Sequence, residues 1–270
     1  MSEPLLRVEK LTKRFPLKSG LFGRQAGSVH AVDGVDFHID RGETLGLVGE
    51  SGCGKSTTGR CVLRLIEPTS GEIRFEGEDV RSLKASELRT LRRDIQIIFQ
   101  DPYASLDPRM SVGAIVGEAL IIHKLTKTRR QFEERVVNLL ETVGLQADHM
   151  GRYPNEFSGG QRQRIGLARA LFGKPAIVVL DEPNANLDAT GETALVGAVR
   201  YLKQVGSTVI FITHKTNMLT LADKVLLMEQ GAVRLYGERD EVLAKIFGGP
   251  KVVSSQPQPQ AVATQATAAS

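Results

Sequence analysis

The sequence predicts an α/β fold whose strand-and-helix pattern is interrupted by a helical insert. Two observations support this. Short apolar runs of strand type alternate with segments of helical apolar spacing over residues 5–100, and the same alternation resumes over residues 160–236. Between these parts, over about residues 101–157, strand patterns disappear and prolines punctuate helical segments. A helical insert inside a strand-helix-strand chain is therefore the expected architecture.

The elements of the first third follow from local composition. Strand-type runs occupy residues 5–11, 31–39 and 44–49. The Gly-rich stretch Lys18–Ser28 between the first two runs is expected to be a loop or an insertion. The pattern then predicts, in order, a helix at 57–65, a strand at 71–75, a charged helix at 85–93 and a buried strand at 95–99.

The rest of the chain continues with helices and ends in a polar tail. The pattern predicts helices at 112–123, 131–143, 160–172 and 191–205, strands at 176–180 and 208–213, and a strand-and-turn region at 224–236. Beyond Gly249 the residues are mostly Pro, Gln, Ala, Ser and Thr, which bury too little apolar surface to fold. Residues 250–270 are therefore predicted to be a disordered tail.

Composition limits the class of protein. With 270 residues, 41% hydrophobic and 24% charged, the chain can bury the core of one large domain or two small ones. No apolar run approaches the roughly 18 residues of a membrane span, and the N-terminus lacks a signal sequence, so a cytoplasmic location is expected. Cys53 and Cys61 are interpreted as free thiols. The net charge of +4 is spread among acidic residues, which argues against a nucleic-acid surface.

A phosphate-binding loop is the first motif with chemical meaning. The segment Gly49–Ser56 fits G-x-x-x-x-G-K-[ST], follows an apolar strand and precedes a helix, as such a loop requires. Lys55 would neutralise the β- and γ-phosphates and Ser56 would ligate Mg²⁺. The alternative is a Gly-rich turn that carries a lysine by chance. The candidate nucleotide-binding residues are Gly49, Ser51, Gly52, Cys53, Gly54, Lys55, Ser56 and Thr57.

Two carboxylates end the apolar strand at residues 177–180. Asp181 is placed to hold Mg²⁺, and Glu182 can act as a general base that polarises the attacking water. The alternative is an ordinary solvated loop entrance. The phosphate loop upstream favours the catalytic interpretation.

The segment from Ser158 to Gln161 (SGGQ) indicates the family. It precedes a helix, so the two glycines leave backbone N–H groups open to an anion and Ser158 adds a hydroxyl. Taken alone, these residues are more typical of a Gly-Gly turn capping a helix. Together with the phosphate loop, they resemble the signature motif of ATP-binding cassette (ABC) proteins. The resemblance makes Ser158, Gly159, Gly160 and Gln161 candidate nucleotide-binding residues.

The resemblance covers about residues 6–247 and implies further roles. Gln100 matches the Q-loop glutamine, which touches Mg²⁺ and the lytic water. Asp188 matches the D-loop aspartate and His214 matches the switch histidine that hydrogen-bonds the γ-phosphate. Phe15 is the candidate for stacking on adenine, although a Phe there is as typical of a core position. The implied catalytic residues are Glu182, His214 and Gln100, and the implied metal ligands are Ser56, Gln100 and Asp181.

The same resemblance implies a fold, cofactors and partners. The expected fold is a phosphate-loop NTPase cassette with an N-terminal antiparallel β region, a RecA-like core at about 1–100 and 166–249, and a helical subdomain at about 101–165. Two cassettes, identical or related, would pair head to tail and sandwich ATP and Mg²⁺. The chain would bind transmembrane permease subunits as a peripheral protein on the cytoplasmic side of the inner membrane. No nucleic-acid partner is expected.

Different parts of this sequence resemble two groups within the family. Residues 6–170 resemble ATPases of dipeptide and oligopeptide importers, as in Arg93–Arg109 (RDIQIIFQDPYASLDPR). Residues 171–249 resemble ATPase domains of type I secretion exporters, as in VLDEPNANLD at 179–188. A natural mosaic or an engineered sequence would explain the join. A peptide importer is preferred, because Gln100 and the helical subdomain lie in the importer-like part, and the family binds its permease through them. The alternatives are an exporter ATPase, a soluble ABC ATPase acting on nucleic acid or the ribosome, and a nucleotide-binding regulator.

Overall fold

The computed structural model describes residues 3–19, 24–98, 106–183, 189–214 and 216–248. Within these ranges the chain forms two sheets, with helices packed around them. The strands are β1 (Leu6–Ser19), β2 (Arg24–Ile39), β3 (Thr44–Gly49), β4 (Ser70–Phe75), β5 (Glu78–Asp79), β6 (Ile95–Ile98), β7 (Ile177–Asp181), β8 (Thr208–Ile212), β9 (Lys224–Glu229) and β10 (Ala232–Glu238). The helices are α1 (Lys55–Val62), α2 (Ala85–Leu91), α3 (Val112–Ile122), α4 (Arg129–Thr142), α5 (Gly159–Ala170), α6 (Ala189–Gln204) and α7 (Arg239–Phe247), with 3-10 turns at Ala147–Gly151, Pro154–Glu156 and Thr216–Leu221.

The larger sheet has six strands in the order β10-β9-β3-β8-β7-β6. The five strands from β9 to β6 pair in parallel, and β10 adds an antiparallel edge. Every residue of β7 and β8 is buried, because helices and the second sheet cover both faces. The predicted α/β class is therefore confirmed.

The smaller sheet is antiparallel, in the order β2-β1-β4-β5. It confirms the antiparallel β region expected near the N-terminus. The two-residue strand β5, which pairs with β4, was not predicted. It is too short and too acidic to show a strand pattern in the sequence.

The loop predicted at Lys18–Ser28 is wrong over most of its length. Strand β1 continues to Ser19 and β2 begins at Arg24, with Leu17 opposite Gly27 in the ladder. The glycines in this stretch are typical of a loop, but a strand also tolerates glycine where the ladder shifts register. Such a shift lies between Leu17 and Lys18. Residues 20–23 lie outside the described ranges.

Two hydrophobic cores hold the elements together. One lies between the two sheets and includes Leu6, Leu11 and Cys61, and the other packs α3 to α6 on the larger sheet around Leu140, Ile165 and Phe211. Large-to-small changes in such cores cost roughly 2–5 kcal/mol each. The cores therefore fix the sheet edge that carries the candidate site.

The described part of the predicted helical insert, residues 106–157, contains no strand, as predicted. Side chains of Ser111, Thr128 and Ser158 cap helices α3, α4 and α5 by accepting a hydrogen bond from the amide three residues on. The division into a core and a separate helical subdomain remains a prediction. Helix α7 after β10 was not predicted, and residues 250–270 of the expected tail lie outside the described ranges. Among the described residues, no helix combines the length and apolarity of a membrane span.

Candidate functional site

The candidate site lies at the carboxyl edge of the larger sheet. Strands β3, β8 and β7 are adjacent and parallel, so their carboxyl ends meet at one edge. The phosphate loop follows β3, the carboxylate pair ends β7, and His214 follows β8. The sheet thus brings together residues that are far apart in sequence.

The phosphate loop runs from Gly49 to the start of α1 and depends on glycine at two positions. A Cβ on Gly49, which has φ of +147°, would lie 2.2 Å from the carbonyl oxygen of Met228. A Cβ on Gly54, which has φ of +100°, would lie 2.0 Å from the carbonyl oxygen of Ala31. Both positions therefore combine a left-handed backbone with close packing, and only glycine fits there.

Lys55 is the first residue of α1 and lies folded over its own loop. Its Nζ donates to the carbonyl oxygens of Gly49 at 2.8 Å and Glu50 at 2.6 Å, and lies 3.7 Å from Sγ of Cys53. The side chain is buried. These carbonyls satisfy a buried ammonium and hold it at the mouth of the loop, where the first amides of α1 have no intrahelical partner.

Ser56 and Asp181 are brought into direct contact. Ser56 Oγ donates to Asp181 Oδ1 at 2.7 Å. The carboxylate is fully buried, with 0% of its side chain exposed, and its other oxygen, Oδ2, accepts from Nη2 of Arg60 at 3.3 Å. Arg60 was missed by the sequence analysis. The available signal was its position four residues after Ser56, which places both on one face of α1.

Glu182 follows in a left-handed conformation, with φ of +45°. Its amide donates to the carbonyl oxygen of Ile212 at 2.9 Å, which ties it to the end of β8. Its Oε2 lies 3.8 Å from Nδ1 of His214, longer than a hydrogen bond. Positive φ in a glutamate costs on the order of 1 kcal/mol, and such strain persists where the surrounding structure imposes it, often at functional sites.

The predicted signature residues form a capped helix start. Ser158 Oγ accepts from the amide of Gln161 at 3.3 Å, and Gln161 Oε1 accepts from the amide of Ser158 at 2.9 Å. This reciprocal pair opens α5, which packs against α3, α4, α6 and β6, whereas α1 packs against strands of both sheets. The signature residues are thus held by a different part of the fold from the phosphate loop.

Phe15 lies on β1 opposite Val29. Its side chain is 38% exposed, so it is not a core residue, and Nζ of Lys13 lies 4.9 Å from the centre of its ring. The next residues of β2 reach the phosphate loop, since Ala31 packs against Gly54. An exposed aromatic ring on this strand is available for stacking on a planar base.

Two of the predicted site residues, Gln100 and Asp188, lie outside the described ranges. The remaining predicted positions of the loop, Ser51 and Gly52, are exposed, and Thr57 is half-buried. Their exposure leaves the outer side of the loop accessible to a ligand.

The residues present fit a magnesium nucleotide. Gly49 and Gly54 leave the backbone amides of the loop open beside Lys55. Backbone N–H groups and a lysine ammonium are donors that bind phosphate oxygens. The hydroxyl of Ser56 and the carboxylate of Asp181 are in contact. Both are hard oxygen donors, the type of ligand that Mg²⁺ prefers. When bound, Mg²⁺ would neutralise charge on the phosphates, and Ser56 and Asp181 would be its protein ligands.

Comparison with known proteins gives the same assignment. A family model described as ABC transporter matches residues 32–185. The chain is 47% identical over 245 residues to "Oligopeptide transport ATP-binding protein OppF" of Bacillus subtilis, covering 90% of this chain and 78% of that protein. It is 46% identical over 246 residues to "Glutathione import ATP-binding protein GsiA" of Pectobacterium atrosepticum. That match covers 90% of this chain but only 39% of GsiA.

Solved structures of cassettes have the same fold. The ATP-binding cassette MJ0796, in a dimeric structure bound to ADP and Pi, superposes with a TM-score of 0.77 at 28% identity, covering 87% of this chain and 98% of that one. The cbiO1 protein of Clostridium perfringens, part of the transporter complex cbiONQ, gives a TM-score of 0.75 at 29% identity, covering 91% and 92%. The chain therefore belongs to the ABC transporter family and is an ATP-binding cassette ATPase of that family.

Proposed function

We propose that the chain is the ATP-hydrolysing subunit that energises a membrane ABC transporter, and that this transporter imports peptides. The observation that carries the proposal is the buried Asp181 in contact with Ser56 of the phosphate loop, with Glu182 directly beside it. This arrangement supports the proposal, because a carboxylate that could ligate a metal and a potential base lie at the end of one strand, next to the phosphate loop.

This geometry supports the roles proposed for the described site residues, and the role of Gln100 rests on the family resemblance. Lys55 and the loop amides bind the β- and γ-phosphates, and Ser56 and Asp181 would hold Mg²⁺. Glu182 orients and deprotonates the attacking water, and His214, 3.8 Å from it, contacts the γ-phosphate. Gln100 completes the metal and water contacts, and Phe15 stacks on adenine.

A second cassette is part of the proposed function. Ser158, Gly159, Gly160 and Gln161 open a helix held by a different part of the fold from the phosphate loop. A second copy, or a related ATPase, would bring these donors to the γ-phosphate. The dimeric state of the MJ0796 cassette supports this arrangement.

The import of peptides is favoured over export by the relatives. The match with OppF spans 90% of the chain and so includes most of residues 171–249, the part whose sequence resembles that of exporters. GsiA is named for the import of glutathione, which is itself a small peptide. The helical subdomain, residues 101–165, would bind the permease on the cytoplasmic side of the inner membrane.

Reconstitution tests this function. The full chain is combined with the membrane subunits of a peptide permease in liposomes, and ATP hydrolysis is measured with and without peptide and its binding protein. We expect the permease and its peptide to stimulate hydrolysis, and expect Lys55→Ala to abolish it because the phosphates lose their main cation. Stimulation by DNA or RNA, with none by the permease, would contradict the proposal and favour a soluble ABC ATPase.

A further inference from the structure

Arg60 has a polar contact that no role above explains. It lies in α1, four residues after Ser56, and its Nη2 lies 3.3 Å from Oδ2 of Asp181. The two residues are separated by 121 positions in sequence. The described residues offer the guanidinium one polar partner, and its buried Nε has no hydrogen-bond partner among them. The side chain is thus directed at the buried carboxylate.

The environment of Asp181 gives this contact its importance. A fully buried carboxylate requires compensating charge or hydrogen bonds. Ser56 supplies a neutral hydroxyl to Oδ1, and Arg60 supplies the positive charge to Oδ2. The two donors approach different oxygens, so together they fix the rotation of the carboxylate about its Cβ–Cγ bond.

We propose that Arg60 is a positioning residue for the metal site, and this proposal rests on the proposed function above. By holding Oδ2, it keeps Oδ1 directed at Ser56, where the two protein oxygens proposed for Mg²⁺ meet. Residues that orient a metal ligand from outside the coordination sphere typically change metal affinity about 10–100-fold when removed. Arg60 contacts Oδ2, the oxygen that does not contact Ser56, so Arg60 need not leave when the metal binds.

Arg60→Gln, made in the full chain, tests the proposal. The binding of Mn²⁺, used as a paramagnetic substitute for Mg²⁺, is measured by electron paramagnetic resonance with a non-hydrolysable ATP analogue present. We expect the affinity for Mn²⁺ to fall about 10–100-fold. The affinity for a fluorescent ATP analogue in EDTA should change less than about twofold, because Lys55 and the loop amides are intact.

Two further variants separate positioning from a general loss of structure. Arg60→Lys keeps the charge but loses the planar fork, so it should recover part of the Mn²⁺ affinity, and it carries the test if Arg60→Gln does not fold. Arg64→Gln is the matched control, since Arg64 follows the same helix but contacts Glu67 and the carbonyls of Val80 and Leu83. It should leave Mn²⁺ affinity unchanged.

A double variant tests whether Arg60 acts through Asp181. In an Asp181→Asn background, adding Arg60→Gln should cause no further loss of Mn²⁺ affinity, because the positioned group is already gone. Unchanged or tighter Mn²⁺ binding in Arg60→Gln alone, or an equal loss in Arg64→Gln, would overturn the proposal while leaving the ATPase assignment intact. A parent chain that binds neither Mn²⁺ nor the nucleotide analogue would overturn the proposed function as well.

Discussion

At the scale of single residues, the site is defined by how few conformations its backbone and side chains can adopt. Gly49 and Gly54 have left-handed backbones in positions where any Cβ would collide with a carbonyl oxygen. Glu182 is held at φ of +45° by a hydrogen bond to the end of β8. The loop and the candidate base are therefore both preorganised before any ligand binds.

Residue types at the site were largely predictable, but their contacts were not. The spacing of Gly49, Lys55 and Ser56 predicts a phosphate loop from the sequence alone. The partnership of Arg60 with Asp181 joins residues 121 positions apart, so no local pattern reveals it. The left-handed conformation of Glu182 is likewise imposed by the neighbouring strand, since glutamate has no preference for it.

The two cysteines differ in their predicted reactivity. Burial raises the pKa of the Cys61 thiol to about 11, so at pH 8 nearly all of it stays protonated and unreactive. Cys53 is also buried, but it lies inside the phosphate loop, next to the exposed residues Ser51 and Gly52. We expect N-ethylmaleimide to modify Cys53 rather than Cys61 and to block ATP binding, and we expect prior ATP to protect. Mass spectrometry of the labelled peptides and a nucleotide-binding titration measure this.

The control is Cys53→Ser, which should bind ATP and resist labelling. Full modification of Cys53 with unchanged ATP binding would contradict the placement of Cys53 beside the phosphates. Labelling of Cys61 before Cys53 would contradict the expected order of reactivity.

At the scale of elements, strand and helix types were predicted well where their periodicity is strong. The apolar runs of β3, β7 and β8 and the helical spacing of α3 and α4 were sufficient. The hairpin of β1 and β2 was missed between Lys18 and Ser28, because its glycines are typical of a loop. Helix α7 was missed because its start at Arg239 directly follows β10, with no connecting residues between the two elements.

The packing of α3 on α4 depends on one glycine. A Cβ on Gly117 would lie 2.2 Å from the ring of Phe132 and 3.0 Å from Val136. Gly117→Ala should therefore overpack the helix pair at a cost of about 1–3 kcal/mol. Gly197→Ala, in α6, is the matched control, because its Cβ meets nothing within 4 Å and alanine favours a helix by about 1 kcal/mol.

Urea unfolding of both variants measures the difference. The gain in helix propensity is common to both substitutions, so Gly117→Ala should be less stable than Gly197→Ala by about 1–3 kcal/mol. Equal stability of the two variants would show that α3 and α4 do not pack as closely as described.

At the scale of the whole molecule, the fold separates two groups of candidate nucleotide-binding residues. The phosphate loop, Asp181 and Glu182 lie at the edge of the larger sheet, and the signature residues open a helix that packs in the insert. This separation gives the proposed pairing of two cassettes its physical reason. Sequence alone indicates the pairing only through family resemblance, because a sequence has no pattern for a site shared between two chains.

The central claim is that ATP is held between the phosphate loop of one chain and the signature helix of another. Glu182→Gln provides the trapped state, since loss of the base should lower turnover by at least about a hundredfold while ATP still binds. Adding Ser158→Phe to this variant places a bulky ring at the helix start, where the second chain would meet the γ-phosphate.

Light scattering after size-exclusion chromatography of Glu182→Gln, with and without Mg²⁺ and ATP, tests this claim most directly. We expect a monomer without nucleotide, a dimer with ATP, and a monomer again when Ser158→Phe is added. A variant that binds ATP yet stays monomeric, or a dimer that forms equally well with Ser158→Phe, would contradict it.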